Sequence, residues 1–213
     1  MEEKKFIITI NREYGTGGRT IAYKLGELLG VKIYDRAILE KLSEHFQLTA
    51  DEMEMLKGRK SHWWDEFFSL YSQYDIAGRI TMEVPAYVTS QQLYDAEEQL
   101  LRGLVCQESC IIVGRTGFHI FKDDPTAFKI MLIASEEKRL NRIMQKFDIN
   151  KKEALRRMEE IDKARENFTQ TFAGVSRYDA RNYDIVWNIG NLDDAESTVE
   201  ILADVIRKRY NLK

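Results

Sequence analysis

Cysteine, proline and histidine are scarce in this chain of 213 residues, which has two, two and three of them. The cysteines, Cys106 and Cys110, form no C-x-x-C pair, so neither a disulfide framework nor a zinc site is expected. They read as core or near-core thiols in a reducing compartment. The cysteine and histidine positions compose no catalytic triad. With only Pro85 and Pro125, and no Ser/Gly-rich stretch, repeat or low-complexity tract, there is no linker to divide residues 1–213 into separate domains. No run approaches the roughly 18 apolar residues that span a bilayer. Met1-Glu2-Glu3-Lys4-Lys5 leads into an apolar run too short for a secretory signal, so a cytoplasmic protein is expected. An excess of one charge is also missing. The net charge of -3 gives no general pull toward nucleic acid or an anionic membrane, and neither is expected as a partner. Any phosphate-binding surface must then be a local cluster of Arg and Lys.

What is present suits one α/β domain with a real core: 44% apolar and 31% charged residues, an ordinary globular balance. Phe6-Ile7-Ile8-Thr9-Ile10 is apolar on both faces, as a buried parallel strand should be. Glycines follow, then an amphipathic helix over about 19–29 with Ile21, Ala22, Leu25, Leu28 and Leu29 on one face and Gly30 as its stop. Further strands are expected at 31–34, 110–113, 127–133 and 184–188. Helices are expected at about 135–147, 150–167 and 193–209. Residues 36–107 read as mostly helical, broken near Gly58, Gly78 and Pro85. Strands alternating with helices imply a parallel sheet covered on both faces, with the first strand at its centre. Ligands of such sheets bind beyond the carboxyl ends of the strands. That edge would gather residues 12–19, Asp35, Arg115 and the charged helix near Lys163.

Gly15-Thr16-Gly17-Gly18 joins the first strand to the first helix. Such a turn exposes backbone N–H groups at a helix N-terminus, which with the helix dipole make an anion site. It departs from the G-x-x-x-x-G-K-[ST] loop, because no lysine follows the second glycine in Arg12-Glu13-Tyr14-Gly15-Thr16-Gly17-Gly18-Arg19-Thr20. Other residues each suit two roles. Asp35 can accept hydrogen bonds from a base, a ribose or an arginine, or cap a helix beginning at Arg36. Arg115 can grip a phosphate or carboxylate, or sit in a surface ion pair. Lys163 and Arg165 belong to a helix face that also reads as solvated i,i+4 pairs. Arg139 and Arg142 stand one turn apart and can reach the same site. Trp63, Trp64, Phe67, Phe68, Tyr71 and Tyr74 have helical spacing and read as packing.

The chain resembles the bacterial cytidylate kinases, and more closely the cytidylate kinase-like family with a G-[ST]-G-G-R loop. The resemblance rests on residues 8–19, running on to Ile33-Tyr34-Asp35. It rests also on Ile112-Val113-Gly114-Arg115, on residues 129–139, on Asp162-Lys163-Ala164-Arg165 and on Tyr183-Asp184-Ile185-Val186. It is weakest at about 42–104. It implies a P-loop NTPase-like domain with a helical acceptor-side insertion at about 42–104 and a helical lid at about 148–175. The implied reaction is phosphoryl transfer from ATP, with Mg2+, to a nucleoside monophosphate, CMP being a candidate. Gly15, Thr16, Gly17, Gly18, Arg19 and Thr20 would bind the donor phosphates, with Arg12, Arg139 and Arg142 as further contacts. Asp35 and Arg115 would bind the acceptor, and Lys163 and Arg165 the migrating phosphoryl. An ungapped comparison sets Gly18 where the bacterial cytidylate kinases have the loop lysine and Arg19 at their magnesium-binding hydroxyl position. Arg19 is then the substitute cation and Thr20 the candidate metal ligand. The missing lysine keeps a second reading open: a nucleotide-binding or sensing module that is catalytically weak.

Overall fold

A computed structural model describes residues 5–35, 108–191 and 195–212, together with Tyr94, Glu98, Leu101, Arg102 and Val105. Arg36, Cys106, the aromatic run from Trp63 to Tyr74 and nearly all of the expected insertion at 42–104 lie outside the described residues.

The first apolar run forms β1 (Ile7–Arg12), buried at every position. It pairs in parallel with β3 (Cys110–Val113) on one side and β4 (Ala127–Ile133) on the other. β2 (Lys32–Tyr34) and β5 (Ile185–Asn188) complete a parallel sheet of order β2-β3-β1-β4-β5, which puts β1 at its centre. Alternation along β1 sends its side chains to two different cores. Ile8 and Ile10, fully buried, pack with Ile21, Ala22 and Leu25 of α1 (Gly18–Leu29) and with Leu202, Ala203 and Ile206 of α5 (Ala195–Tyr210). Burying an aliphatic side chain of this size contributes roughly 1.5–3 kcal/mol, so this layer fixes the start of α1 against the sheet. Ile7 faces the other way, to Ile112, Phe121 and Phe168. Cys110 lies in that second core, where burial pushes its thiol up to about 12, the inert core role expected of it.

Three more helices frame the carboxyl edge. The short α2 (Gly117–Ile120) follows β3. α3 (Glu136–Phe147) starts where the Ser135 side chain accepts from the Lys138 N–H, with Glu136 and Glu137 favourably placed in its first turn. α4 (Lys151–Ala173) is capped by Asn150 and packs its first half on α3 through Leu140, Ile143, Ala154 and Met158. The charge pattern suggested that α4 would stop near residue 167. It continues because Phe168 and Phe172 extend its apolar face, with Phe172 stacked on Tyr94 at 4.7 Å. Among the described residues, no helix is long and apolar enough to cross a membrane.

Candidate functional site

Because the sheet is parallel, the loop after β1, Asp35 after β2, Arg115 after β3 and the start of α3 after β4 share one edge. The loop of residues 13–17 is held from within by Thr16, 1% exposed. Its hydroxyl donates to the Glu13 carbonyl at 2.8 Å and accepts from the Gly18 N–H at 3.3 Å. Gly15 and Gly17 have φ of +85° and +75°, a region that admits glycine without steric cost. A Cβ at Gly15 would lie 2.9 Å from the Arg139 carbonyl oxygen, and one at Gly17 would lie 2.1 Å from Nη1 of Arg142. The loop is therefore pressed against α3. Arg139, behind it, donates Nε–H to the Tyr14 carbonyl at 2.7 Å and pairs with Glu13 and Asp162. Arg142, in front, donates to the Thr16 carbonyl.

A cavity of about 350 Å³ opens on this loop and the first turn of α1. That volume is at the lower end of ordinary small-molecule sites. Residues 12–20 all line it, joined by Arg142, Lys146 and Arg165. Five cationic side chains thus face backbone N–H groups at a helix start, an arrangement suited to several phosphates.

A second, smaller cavity of about 40 Å³ lies at the ends of β1 and β3, lined by Asn11, Arg12, Arg115, Thr116, Arg165 and Arg177 among others. Its floor is strained. Gly114, Arg115 and Thr116 have φ of 78°, 57° and 51° in succession. The left-handed region costs a non-glycine residue of order 1–3 kcal/mol and recurs where backbone strain serves a ligand. The Thr116 hydroxyl hydrogen-bonds with the Arg115 carbonyl and with Tyr94. Arg12 and Arg165 line both cavities, so the two spaces share a wall built from two arginine residues.

Of the residues nominated from sequence, Arg12, Gly15, Thr16, Gly17, Gly18, Arg19, Thr20, Arg142 and Arg165 line the larger cavity, and Arg12, Arg115 and Arg165 the smaller. Arg19 is also bound to the nominated acceptor residue: its Nε lies 3.2 Å from Oδ2 of Asp35. Asp35 is 2% exposed, and among the described residues no hydrogen bond reaches either of its oxygens. Arg139 lines neither cavity, since its guanidinium is engaged by Glu13, Asp162 and the Tyr14 carbonyl. Lys163, exposed on α4, also lines neither.

Two wall residues escaped the sequence reading. Lys146 stands one turn beyond Arg142 on α3, a spacing that could have found it. Arg177 carried no signal: it follows Gly174 in an irregular segment, yet it is 1% exposed. Its Nη2 donates to the Arg12 carbonyl and, at 3.4 Å, to Asn11; its backbone N–H donates to Glu166. Tyr183 holds it from below, donating to the Arg177 carbonyl at 2.7 Å and accepting from Asn11 at 2.7 Å. Burial pushes the Tyr183 hydroxyl up to about 12, so it keeps its proton near neutral pH.

The family model for the cytidylate kinase-like family matches residues 7–191. An uncharacterized protein from Eubacterium ventriosum shares the fold with a TM-score of 0.69 at 23% identity, covering 96% of this chain and 100% of its own. Shikimate kinase from Bacteroides thetaiotaomicron matches with a TM-score of 0.52 at 15% identity, covering 95% of this chain and 98% of its own. The fold is thus that of the P-loop kinases. No match is found among curated proteins.

Proposed function

The chain belongs to the cytidylate kinase-like family, and from that premise we propose that it transfers the γ-phosphoryl group of ATP to a nucleoside monophosphate, with CMP the first candidate. The observation that carries the proposal is the shared arginine wall between the two cavities. Phosphoryl transfer asks a protein mainly for positioning and for charge neutralisation along one line. The larger cavity supplies a phosphate cradle and the smaller one an anion site, and Arg12 and Arg165 stand between them, where the migrating group must pass.

In this reading Gly15, Thr16, Gly17, Gly18, Arg19 and Thr20 hold the donor phosphates, with Arg142 and Lys146 closing over them. Arg115 and Arg177 hold the acceptor's anionic group. Arg165, rather than the exposed Lys163, meets the migrating phosphoryl, and α4 acts as the lid. Asp35 serves chiefly to hold Arg19. Magnesium fits the oxygen chemistry of the larger cavity. Among the described residues no group of three His, Cys, Asp or Glu side chains could hold a metal, so the ion would rest on donor phosphate oxygens and the Thr20 hydroxyl. Bound there, it would neutralise charge on the donor phosphates.

One observation favours the second reading, a nucleotide-binding module with weak catalysis. The space at Gly18, where the lysine of a standard phosphate loop would begin, is filled by Arg12 and Leu132. The two readings share the donor site and differ in turnover.

Arg115→Ala tests the division between the cavities. Losing one charge-assisted contact costs about 1.5–3 kcal/mol, roughly ten- to a hundredfold in affinity. We expect that loss for the acceptor in calorimetric titration, with ATP affinity changed less than about threefold. An equal loss for both ligands would contradict the assignment.

A further inference from the structure

We propose that Asp162 is a positioning residue, one carboxylate that sets the arginines of the acceptor cavity and ties them to the glycine loop. The proposal rests on the phosphoryl-transfer reading above and deepens it. Asp162 is 8% exposed in the middle of α4. Its Oδ1 accepts from the Tyr14 N–H at 2.9 Å, where the loop begins. Its Oδ2 accepts from Nη2 of Arg139 on α3. Nη1 of Arg177 lies 3.5 Å from Oδ1, and Nη1 of Arg165, one turn along α4, lies 3.7 Å from it. Four groups from four segments meet on one side chain.

Charge makes this more than packing. A guanidinium as buried as that of Arg177 needs a counter-charge, and Asp162 is its ion-pair partner among the described residues. Arg139 has a second carboxylate, Glu13 at 3.3 Å, so it does not depend on Asp162 alone. Arg165 and Arg177 both also donate to the carbonyl of Arg12, the last residue of β1. A carbonyl and a carboxylate therefore hold two like charges side by side at the end of the central strand. Three guanidinium groups pair with two carboxylates, a third carboxylate, Glu166, accepts from the Arg177 backbone N–H, and Arg12 and Arg115 add positive charge across the cavity, so five guanidinium groups meet three carboxylates. Asp162 thus lets the arginines approach one another without cancelling the excess charge that an anionic acceptor would meet. The Tyr14 contact carries the same constraint into the donor loop, so a shift of α4 moves both cavities together.

Asp162→Asn keeps an acceptor for the Tyr14 N–H and removes the charge. Asp162→Glu keeps the charge and displaces it. The parent and both variants can be compared by turnover per nucleotide-binding site and by 15N NMR of the guanidinium groups. A guanidinium locked in an ion pair rotates slowly about Nε–Cζ and shows separate Nη signals. We expect Asp162→Asn to merge the Arg177 signals, leave the backbone spectrum of β1, β3 and β4 in place, and lower turnover at least tenfold with the KM for ATP within threefold. Asp162→Glu should recover part of the turnover. Arg177 signals that stay separate, turnover that stays at the parental level, or a backbone spectrum that shifts throughout would each overturn the proposal. If Asp162→Asn does not fold, Asp162→Glu decides: parental turnover and parental Arg177 signals in that variant overturn it. If the parent turns over no acceptor, the functional reading fails, while the guanidinium signals still decide the role of Asp162.

Discussion

Gly18→Lys is expected to destroy nucleotide binding instead of restoring a standard phosphate loop. A Cβ at Gly18 would lie 2.9 Å from Cβ of Arg12, 3.0 Å from its Cγ and 3.2 Å from Cδ1 of Leu132. Leu132 is fully buried in β4 and Arg12 ends β1, so neither neighbour is the far tip of a flexible chain. Overpacking of this kind costs about 1–3 kcal/mol. In a protein of this size each kcal/mol lowers Tm by roughly 2–4 °C. The functional loss should be larger than the loss of stability, because making room means moving Arg12, which lines both cavities. ATP affinity should fall more than tenfold by calorimetry, with no gain in turnover. A variant that binds ATP as the parent does and turns over faster would show that the loop is an ordinary one lacking its lysine.

Arg19→Ala should lower ATP affinity or turnover at least tenfold, about 1.4 kcal/mol. A triphosphate brings several negative charges to one place, and backbone amides answer them only with partial ones. With Gly18 closed to a side chain, the first turn of α1 would meet that need through Arg19. Its side chain is 47% exposed, with the guanidinium 5.6 Å from the Tyr23 ring centroid and its Nε 3.2 Å from Asp35. Asp35 therefore orients the charge without burying it away from the cavity. Arg19→Lys should recover only part of the loss, since an ammonium does not reproduce a planar fork that can hold a carboxylate and a phosphate together. Arg19→Ala also leaves a carboxylate 2% exposed without that ion pair, so the variant's Tm should be measured beside its affinity. A variant with parental ATP affinity and turnover would contradict the role given to Arg19.

The features legible in the sequence are those set by local pattern. Both faces of β1 are apolar because the strand is central, and α1 shows its core face at helical spacing. The turn between them needs glycine where φ is positive. Arg115 and Asp35 follow strands that a parallel sheet brings to one edge, and of the two Arg115 lines the smaller cavity while Asp35 lines neither. The rest depends on three-dimensional approach. Arg139 and Arg142 looked alike, yet three residues along a helix leave two side chains about 60° apart around its axis. That angle sends one behind the loop and the other over it. Lys163 and Arg165 differ for the same reason, two residues placing them on different faces of α4. Arg177 lies in no periodic element, and only the fold shows it nearly buried in the lining of the smaller cavity. Asp162 stands out in the sequence only as the first residue of the Asp162-Lys163-Ala164-Arg165 motif, and its partners from three other segments meet only in the fold.

The two cavities are expected to serve one transfer reaction. The most direct measurement supplies ATP labelled in its γ-phosphate, with magnesium, and separates the products. Acceptors offered one at a time are CMP, UMP, AMP, GMP and water alone. The expected result is label in a nucleoside diphosphate, formed much faster than labelled phosphate is released to water. Tight ATP binding with no label transferred to any monophosphate would contradict the account and leave a nucleotide-binding module on a kinase fold.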